Sequence, residues 1–259
     1  MEKGISEATL FVTHYIKQEQ SYIDSYVREC LEKQYYEFMS EQKVEELLSF
    51  MLNRFLEQLN GEEKKQIRTY TGYQFKNINA ILRNNWNYEV NGTLTLELQE
   101  EYLLLADAIR KIIYKAPFIP FDLKVYRGVS ISAFRDYHIT KLEDLINLKN
   151  HYLFEDGFTS TSFIKEKCFY NKDIYTITGK PNILIEHLIP KGSDDGVPLL
   201  TEDISYSKEL DEFLINSSSL FQVIDVQINE ERHVAYLKVL LIPERIWNYR
   251  FLCINRYKK

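Results

Sequence analysis

KAPFIPFDLKVYRG, residues Lys115–Gly128, decides the fold, because the pattern of the chain changes within it. Pro117 and Pro120 close the helix that precedes them, and Leu123–Tyr126 opens a series of short apolar runs separated by turn residues. Upstream the period is helical. Val44, Leu47, Leu48, Met51, Leu52, Phe55 and Leu59 recur at three- and four-residue intervals within a helical stretch from about Ser6 to Asn60. Asn60-Gly61 is a stop signal; a helix then runs from about Gly61 through Tyr70, another carries Ile78, Ile81 and Leu82, and an amphipathic helix spans Leu94 to Lys115. Downstream, strands are expected at Leu123–Tyr126, Gly157–Phe163, Ile183–Ile189, Glu212–Ile215, Phe221–Gln227 and Val234–Ile242, with a short helix at Leu142–Leu148. Helices followed by many strands predict an α+β fold with a mostly antiparallel sheet, divided into a helical N-terminal segment, residues 1–60, and one larger domain, residues 61–259. Tyr22, Tyr26, Leu31 and Tyr35 are expected to pack the N-terminal helix onto the core.

The chain is long enough for one large domain, and its 45% hydrophobic content supplies an ordinary core. A net charge of −6 excludes holding nucleic acid by bulk electrostatics, which needs clustered Lys and Arg. Cys30, Cys168 and Cys253 stand far apart without a CxxC or Cys/His cluster, so neither a disulfide framework nor a metal site is expected. His14, His138, His151, His187 and His233 show no metal or catalytic spacing and are read as incidental surface or core residues. The first 20 residues lack an apolar run of signal-peptide length, and no segment approaches the ~18 apolar residues of a membrane span. A protein without a membrane anchor is expected, made inside the cell or exported by a route that leaves no such signal.

Three stretches carry chemistry: VYRG at Val125–Gly128, FTSTSF at Phe158–Phe163 and ELDEFLI at Glu209–Ile215. An Arg leaving a strand beside a Gly can offer its planar guanidinium to a diphosphate, while the Gly admits a ligand close to the backbone. Taken alone, Arg127 reads more readily as half of a surface ion pair than as a phosphate clamp. In the Ser-Thr-Ser run, Ser160 and Ser162 face one way and Thr161 the other, so a hydroxyl can orient a carboxylate on a neighbouring strand. No Gly-x-Ser-x-Gly elbow supports a nucleophilic Ser160. Glu212 opens an apolar strand, where a carboxylate is costly to bury unless paired or used, although an edge-strand Glu is ordinarily just solvated.

The order of these stretches resembles the bacterial mono-ADP-ribosyltransferase toxins with an Arg, Ser-Thr-Ser, Glu signature, such as the Rho-modifying clostridial exoenzymes and the actin-modifying binary-toxin subunits. The resemblance covers about Tyr70 to Ile242 and includes YTGYQFKNINAILRN (Tyr70–Asn84), the Ala-Pro lead into the Arg strand, ILIEHLIPKGS (Ile183–Ser193) and DEFLINSSSLFQVIDV (Asp211–Val226). It implies a split antiparallel β-sandwich with NAD as co-substrate in the cleft between two sheets, and no metal. Arg127 would hold the NAD phosphates and Gly128 would meet the nicotinamide amide through its backbone. Asn79 and Arg83 would touch NAD from one helix face. Ser160 would position Glu212, Thr161 and Ser162 would support that strand, and Glu212 would stabilise the cation formed as nicotinamide leaves.

Two departures bear on the acceptor and on NAD. Relatives carry Glu or Gln two residues before the catalytic Glu, where this chain has Leu210, so Glu209 reaches in from a loop one residue longer or no residue performs that role. The loop Ile164–Lys180 offers Phe169, Tyr170 and Tyr175 but only lysines for charge, namely Lys165, Lys167, Lys172 and Lys180. Glu202 and Asp203 read as a solvated loop before the catalytic turn.

The leading expectation is transfer of ADP-ribose to a side chain of a host or target protein by a monomeric toxin or effector, delivered into a target-cell cytoplasm, with neither nucleic acid nor membrane as partner. An NAD glycohydrolase using water, which Leu210 would suit, and a silent binding module built on the same fold are the rivals.

Overall fold

The period change at Pro120 is where helices give way to sheet. The computed structural model describes residues 21–32, 41–83, 94–169, 182–206, 211–231 and 233–247. Before the switch come α1 (residues 21–32), α2 (Glu41–Gln58), α3 (Gly61–Thr69), a π-helical turn (Tyr70–Gln74), α4 (Phe75–Leu82) and α5 (Leu96–Ile113). After it come β1 (Leu123–Val129), β2 (Tyr152–Glu155), β3 (Thr159–Ser162), β4 (Ile183–Ile189), β5 (Gly196–Leu199), β6 (Glu212–Ile215), β7 (Ser219–Asn229), β8 (Val234–Ile242) and a closing turn of helix, α6 (Glu244–Trp247). Leu142–Leu148, expected as a short helix, is a 3-10 helix over the same residues, and further 3-10 segments span Ile131–Tyr137 and Lys165–Phe169.

Helix ends follow local chemistry. Asn60 caps α3 in a reciprocal capping box, its side chain accepting from Glu63 N at 2.9 Å while its own N–H donates to Glu63 at 3.1 Å. Thr95 caps α5, accepting from Leu98 N at 3.2 Å. The apolar stripe of α5, Tyr102, Ala106, Ile109, Ile112 and Ile113, is buried.

The strands order as β2-β7-β8-β4-β1-β3-β6-β5, antiparallel except for the parallel pair β4 and β8. Between β1 and β3 the ladder is a single residue pair, Tyr126 opposite Ser162. The sheet is therefore split: β2, β7, β8, β4 and β1 form one half, and β3, β6 and β5 the other. One apolar core lies on the larger half, with Val125, Ile185, Val223, Leu237 and Val239 joined by Leu48 and Met51 of α2 and by Phe213 and Ile215 of β6. A second joins helices to the smaller half, with Phe55, Ile67, Tyr70, Ile78 and Ile109 against Phe158, Val197, Leu199 and Leu214. Each fully buried Ile or Phe in these sets contributes roughly 1.5–3 kcal/mol relative to exposure.

α1 closes a third cluster through Ile23 and Val27 against Leu188, Leu220, Leu240 and Ile242, with Tyr26 and Leu31 partly buried beside them. Tyr22, expected in this packing, instead faces solvent at 55% exposure, because Ile23, Tyr26, Val27 and Leu31 already fill the inward stripe. Tyr35 lies outside the described residues.

Candidate functional site

The site is assembled where the π-helical turn, the end of α4 and the split in the sheet meet. Gly72, with ψ −118°, interrupts helical geometry between α3 and α4. Tyr70, at the start of that turn, is fully buried and packs edge-on against Phe158, ring centroids 5.1 Å apart. Its hydroxyl accepts from Asn79 Nδ2 at 3.1 Å, and Asn79 Oδ1 accepts from the Phe158 N–H at 2.8 Å. Burial, and then the charge of Glu212, push the Tyr70 phenol above its usual range, so it stays neutral.

Arg83 ends α4. Its Nε donates to Glu155 Oε1 at 2.7 Å and its Nη2 reaches the Phe158 carbonyl at 3.4 Å. The same Glu155 oxygen accepts from Gly157 N at 2.9 Å. Burial alone would lift the Glu155 carboxyl, but Arg83 and Arg127 outweigh it and hold the group below the ordinary carboxylate range. Conversely, burial works against the Arg83 charge and Glu155 more than restores it. Gly157 is needed for this approach, since a Cβ there would stand 2.8 Å from Asn79 Oδ1 and 3.0 Å from Arg83 Cζ.

Arg127 sits in β1 opposite Ile185, half-buried. Burial and the neighbouring Arg83 press its basicity down, while Glu155 pulls the other way. Among the described residues its guanidinium makes no hydrogen bond or ion pair. Gly128 follows it in β1, opposite Leu184.

On the other half of the sheet, Glu212 is buried and pairs in register with Ser162, while Ser160 pairs with Leu214. Ser160 and Ser162 thus share a face with Glu212, and Ser160 hydrogen-bonds its carboxylate. Burial lifts the Glu212 carboxyl above its ordinary value and the Ser160 bond partly reverses that. β6 is interior, flanked by β3 and β5, so Glu212 does not have the solvated edge position an isolated strand Glu would take. Thr161 points the opposite way and donates to the Phe213 carbonyl at 2.6 Å, and Ser162 accepts from Ile164 N at 3.1 Å. Asp211, in left-handed backbone at φ 45°, forms an ion pair with Lys167.

Phe169 ends the 3-10 segment after β3, and its side chain lies outside what is described; Glu209, Leu210, Tyr170, Tyr175, Lys172 and Lys180 also lie outside the described residues. Asp203 forms an exposed ion pair with Lys64 at 3.8 Å. His187 is a core residue stacked edge-on against Phe221, pushed down to about 3 by burial and then by Arg127, and so neutral. Among the described residues no three His, Cys, Asp or Glu side chains gather to hold a metal ion.

Sequence reasoning did not single out Glu155 or Tyr70. Tyr70 stands at the head of the quoted YTGYQF helix, but its role depends on Phe158 and Asn79. Glu155, two residues before Gly157, carries no periodic signal. Arg83 and Arg127 are two like-charged guanidiniums suited to an anion, with the buried carboxylate of Glu212 across the split suited to a developing cation.

The family model for the ADP-ribosyltransferase exoenzyme matches residues 49–243. No curated protein matches the chain. Among solved structures, an ADP-ribosyltransferase toxin from Paenibacillus larvae is 20% identical, covering 79% of this chain and 97% of its own, with a TM-score of 0.57. An ADP-ribosyltransferase from Clostridium botulinum is 18% identical over 80% of this chain and 98% of its own, TM-score 0.60. The Clostridium limosum C3 exoenzyme is 21% identical over 77% and 94%, TM-score 0.57. At these identities the likeness is one of fold.

Proposed function

This chain belongs to the ADP-ribosyltransferase exoenzyme family, and from that premise we propose that Arg127, Ser160 and Glu212 are the residues with which it breaks the nicotinamide–ribose bond. It is an NAD-dependent mono-ADP-ribosyltransferase of the bacterial toxin type. The observation that carries the residue assignment is the half-buried Arg127 guanidinium without a hydrogen bond or ion pair among the described residues. A desolvated cation left in this way favours an anionic ligand, and Arg83 beside it makes that ligand a diphosphate rather than a single carboxylate.

Arg127 and Arg83 hold the two phosphates, Asn79 keeps the α4 face in place, and Gly128 leaves room for the nicotinamide amide at the backbone. Ionised Glu212 accepts the ribose 2′-hydroxyl and faces the oxocarbenium-like cation as nicotinamide departs with the bonding electron pair. Its burial strengthens that interaction, because the charges meet away from water. Ser160 orients the carboxylate, Ser162 and Thr161 fix the strand, and the Phe169 loop covers the nicotinamide. The acceptor is a side chain of a target protein, reached after delivery into another cell, with Glu209 assisting in place of Leu210 and the enzyme acting as a monomer.

The test compares wild type with Glu212→Gln on nicotinamide-labelled and adenine-labelled NAD, with and without target-cell lysate. Release that vanishes in the variant, with labelled protein bands in lysate, is the expected result. Equal release by both proteins would remove Glu212 from catalysis, and release without any labelled protein would mean water is the acceptor.

A further inference from the structure

We infer that Glu155 is a positioning residue: it tethers the Arg83 guanidinium beside Arg127 so that the pair is ready for the diphosphate of NAD before NAD arrives. The inference rests on the assignment of Arg127 and Arg83 to the phosphates.

The geometry is specific. Glu155 is the last residue of β2, and a single carboxylate oxygen accepts both Gly157 N at 2.9 Å and Arg83 Nε at 2.7 Å. The backbone bond fixes the carboxylate to the β2–β3 turn, so that turn, rather than the helix that bears Arg83, sets where the guanidinium stands. Arg83 needs such a tether. It occupies the C-terminal cap of α4, where helical restraint ends, and a long side chain that is still 27% exposed there is drawn towards water.

The neighbour makes the need greater. Arg83 is close enough for its charge to disfavour that of Arg127, and without a carboxylate beside them the flexible member would swing away. Glu155 is the carboxylate that acts on both. It binds Arg83 through Nε, leaving Nη1 without a partner among the described residues and Nη2 with only a long 3.4 Å contact. The outer edge of the guanidinium thus remains for a phosphate, in the fork geometry that Arg offers. Two Arg and one Glu leave one net positive charge, so a doubly charged diphosphate is still attracted.

The experiment measures nicotinamide release against NAD concentration for wild type, Glu155→Ala, Glu155→Gln, Arg83→Ala, Arg127→Ala and the double variant Glu155→Ala/Arg83→Ala. A tether predicts that E155A raises KM roughly tenfold with kcat within about threefold, the scale of one charge-assisted contact. The E155Q amide oxygen accepts the same two N–H groups and should bring KM back to within about threefold of wild type. The double variant should be no worse than R83A, because the two residues act as one unit. If E155A does not fold, Glu155→Met, similar in length and without an acceptor, takes its place in the comparison. An E155A KM that is unchanged or lower, with R127A still impaired, overturns the inference; a lower value would mean that Glu155 competes with phosphate. If R127A and R83A both leave KM unchanged, the phosphate assignment itself fails.

Discussion

The Phe158 N–H donates to the Asn79 side chain at 2.8 Å, tying α4 to the entry of β3 across 79 residues of chain. Asn79 Nδ2 meanwhile donates to the Tyr70 hydroxyl, so one buried amide satisfies a backbone donor and a phenol together. Asn79→Ala is expected to destabilise the fold by roughly 2–4 kcal/mol, since it strands both partners. Denaturant unfolding checks this; a loss below about 1 kcal/mol would show that water replaces the amide.

Gly157→Ala places a methyl 2.8 Å from Asn79 Oδ1, an atom already held by Phe158, and 3.0 Å from Arg83. The expected outcome is a loss of roughly 1–3 kcal/mol together with a raised KM for NAD, because one displaced group, Arg83, is assigned to the phosphates and the other, Asn79, holds its helix in place. A variant with wild-type melting temperature and KM would mean that the α4 face gives way freely.

In its proposed role Glu212 must be ionised to oppose a cation, and burial makes its proton harder to lose. The acidic limb of kcat/KM should therefore lie above the ordinary carboxylate range, activity falling as pH drops through it. Ser160 favours the ionised form, so Ser160→Ala should move that limb to higher pH as well as lower the rate. A pH–rate profile whose limb stays in place in the variant would remove Ser160 from control of the carboxylate.

Asp195, 3% exposed and pushed up to about 7 by burial and then by Asp194, makes stability pH-dependent. The folded state holds the proton more tightly than the unfolded chain does. Its contribution is therefore complete below about pH 4 and is lost as pH rises towards about 7, on the order of 2–4 kcal/mol in all. Asp195→Asn keeps an oxygen for the Glu244 N–H, which reaches Asp195 at 3.2 Å, and should flatten this slope. Thermal melts of the two proteins from pH 4 to pH 8 measure the difference; parallel curves would exclude Asp195 as its source.

Strands with long apolar runs were legible from sequence to the residue: Ile183–Ile189, Glu212–Ile215 and Val234–Ile242 keep their expected bounds. β5 was not, because the four residues GVPL include Gly and Pro, which are depleted in strands; its Pro198 is tolerated since β5 is the sheet edge. β2, four half-buried or buried residues between turn signals, was also missed. Arg127, Ser160 and Glu212 stood out through the order of their motifs. Glu155 became visible only when folding brought it to Arg83, 72 residues away, and no local period encodes such a meeting.

The single rung Tyr126–Ser162 has a consequence for how the substrate is gripped. Arg127 belongs to one half of the sheet, and Ser160 and Glu212 to the other. With one rung at the seam, the halves are held mainly by the packing of Phe213 and Ile215 against Val125 and Ile185, so that core sets the span from Arg127 to Glu212. A dinucleotide held as proposed, by Arg127 at one end and Glu212 at the other, would brace that seam from outside the core.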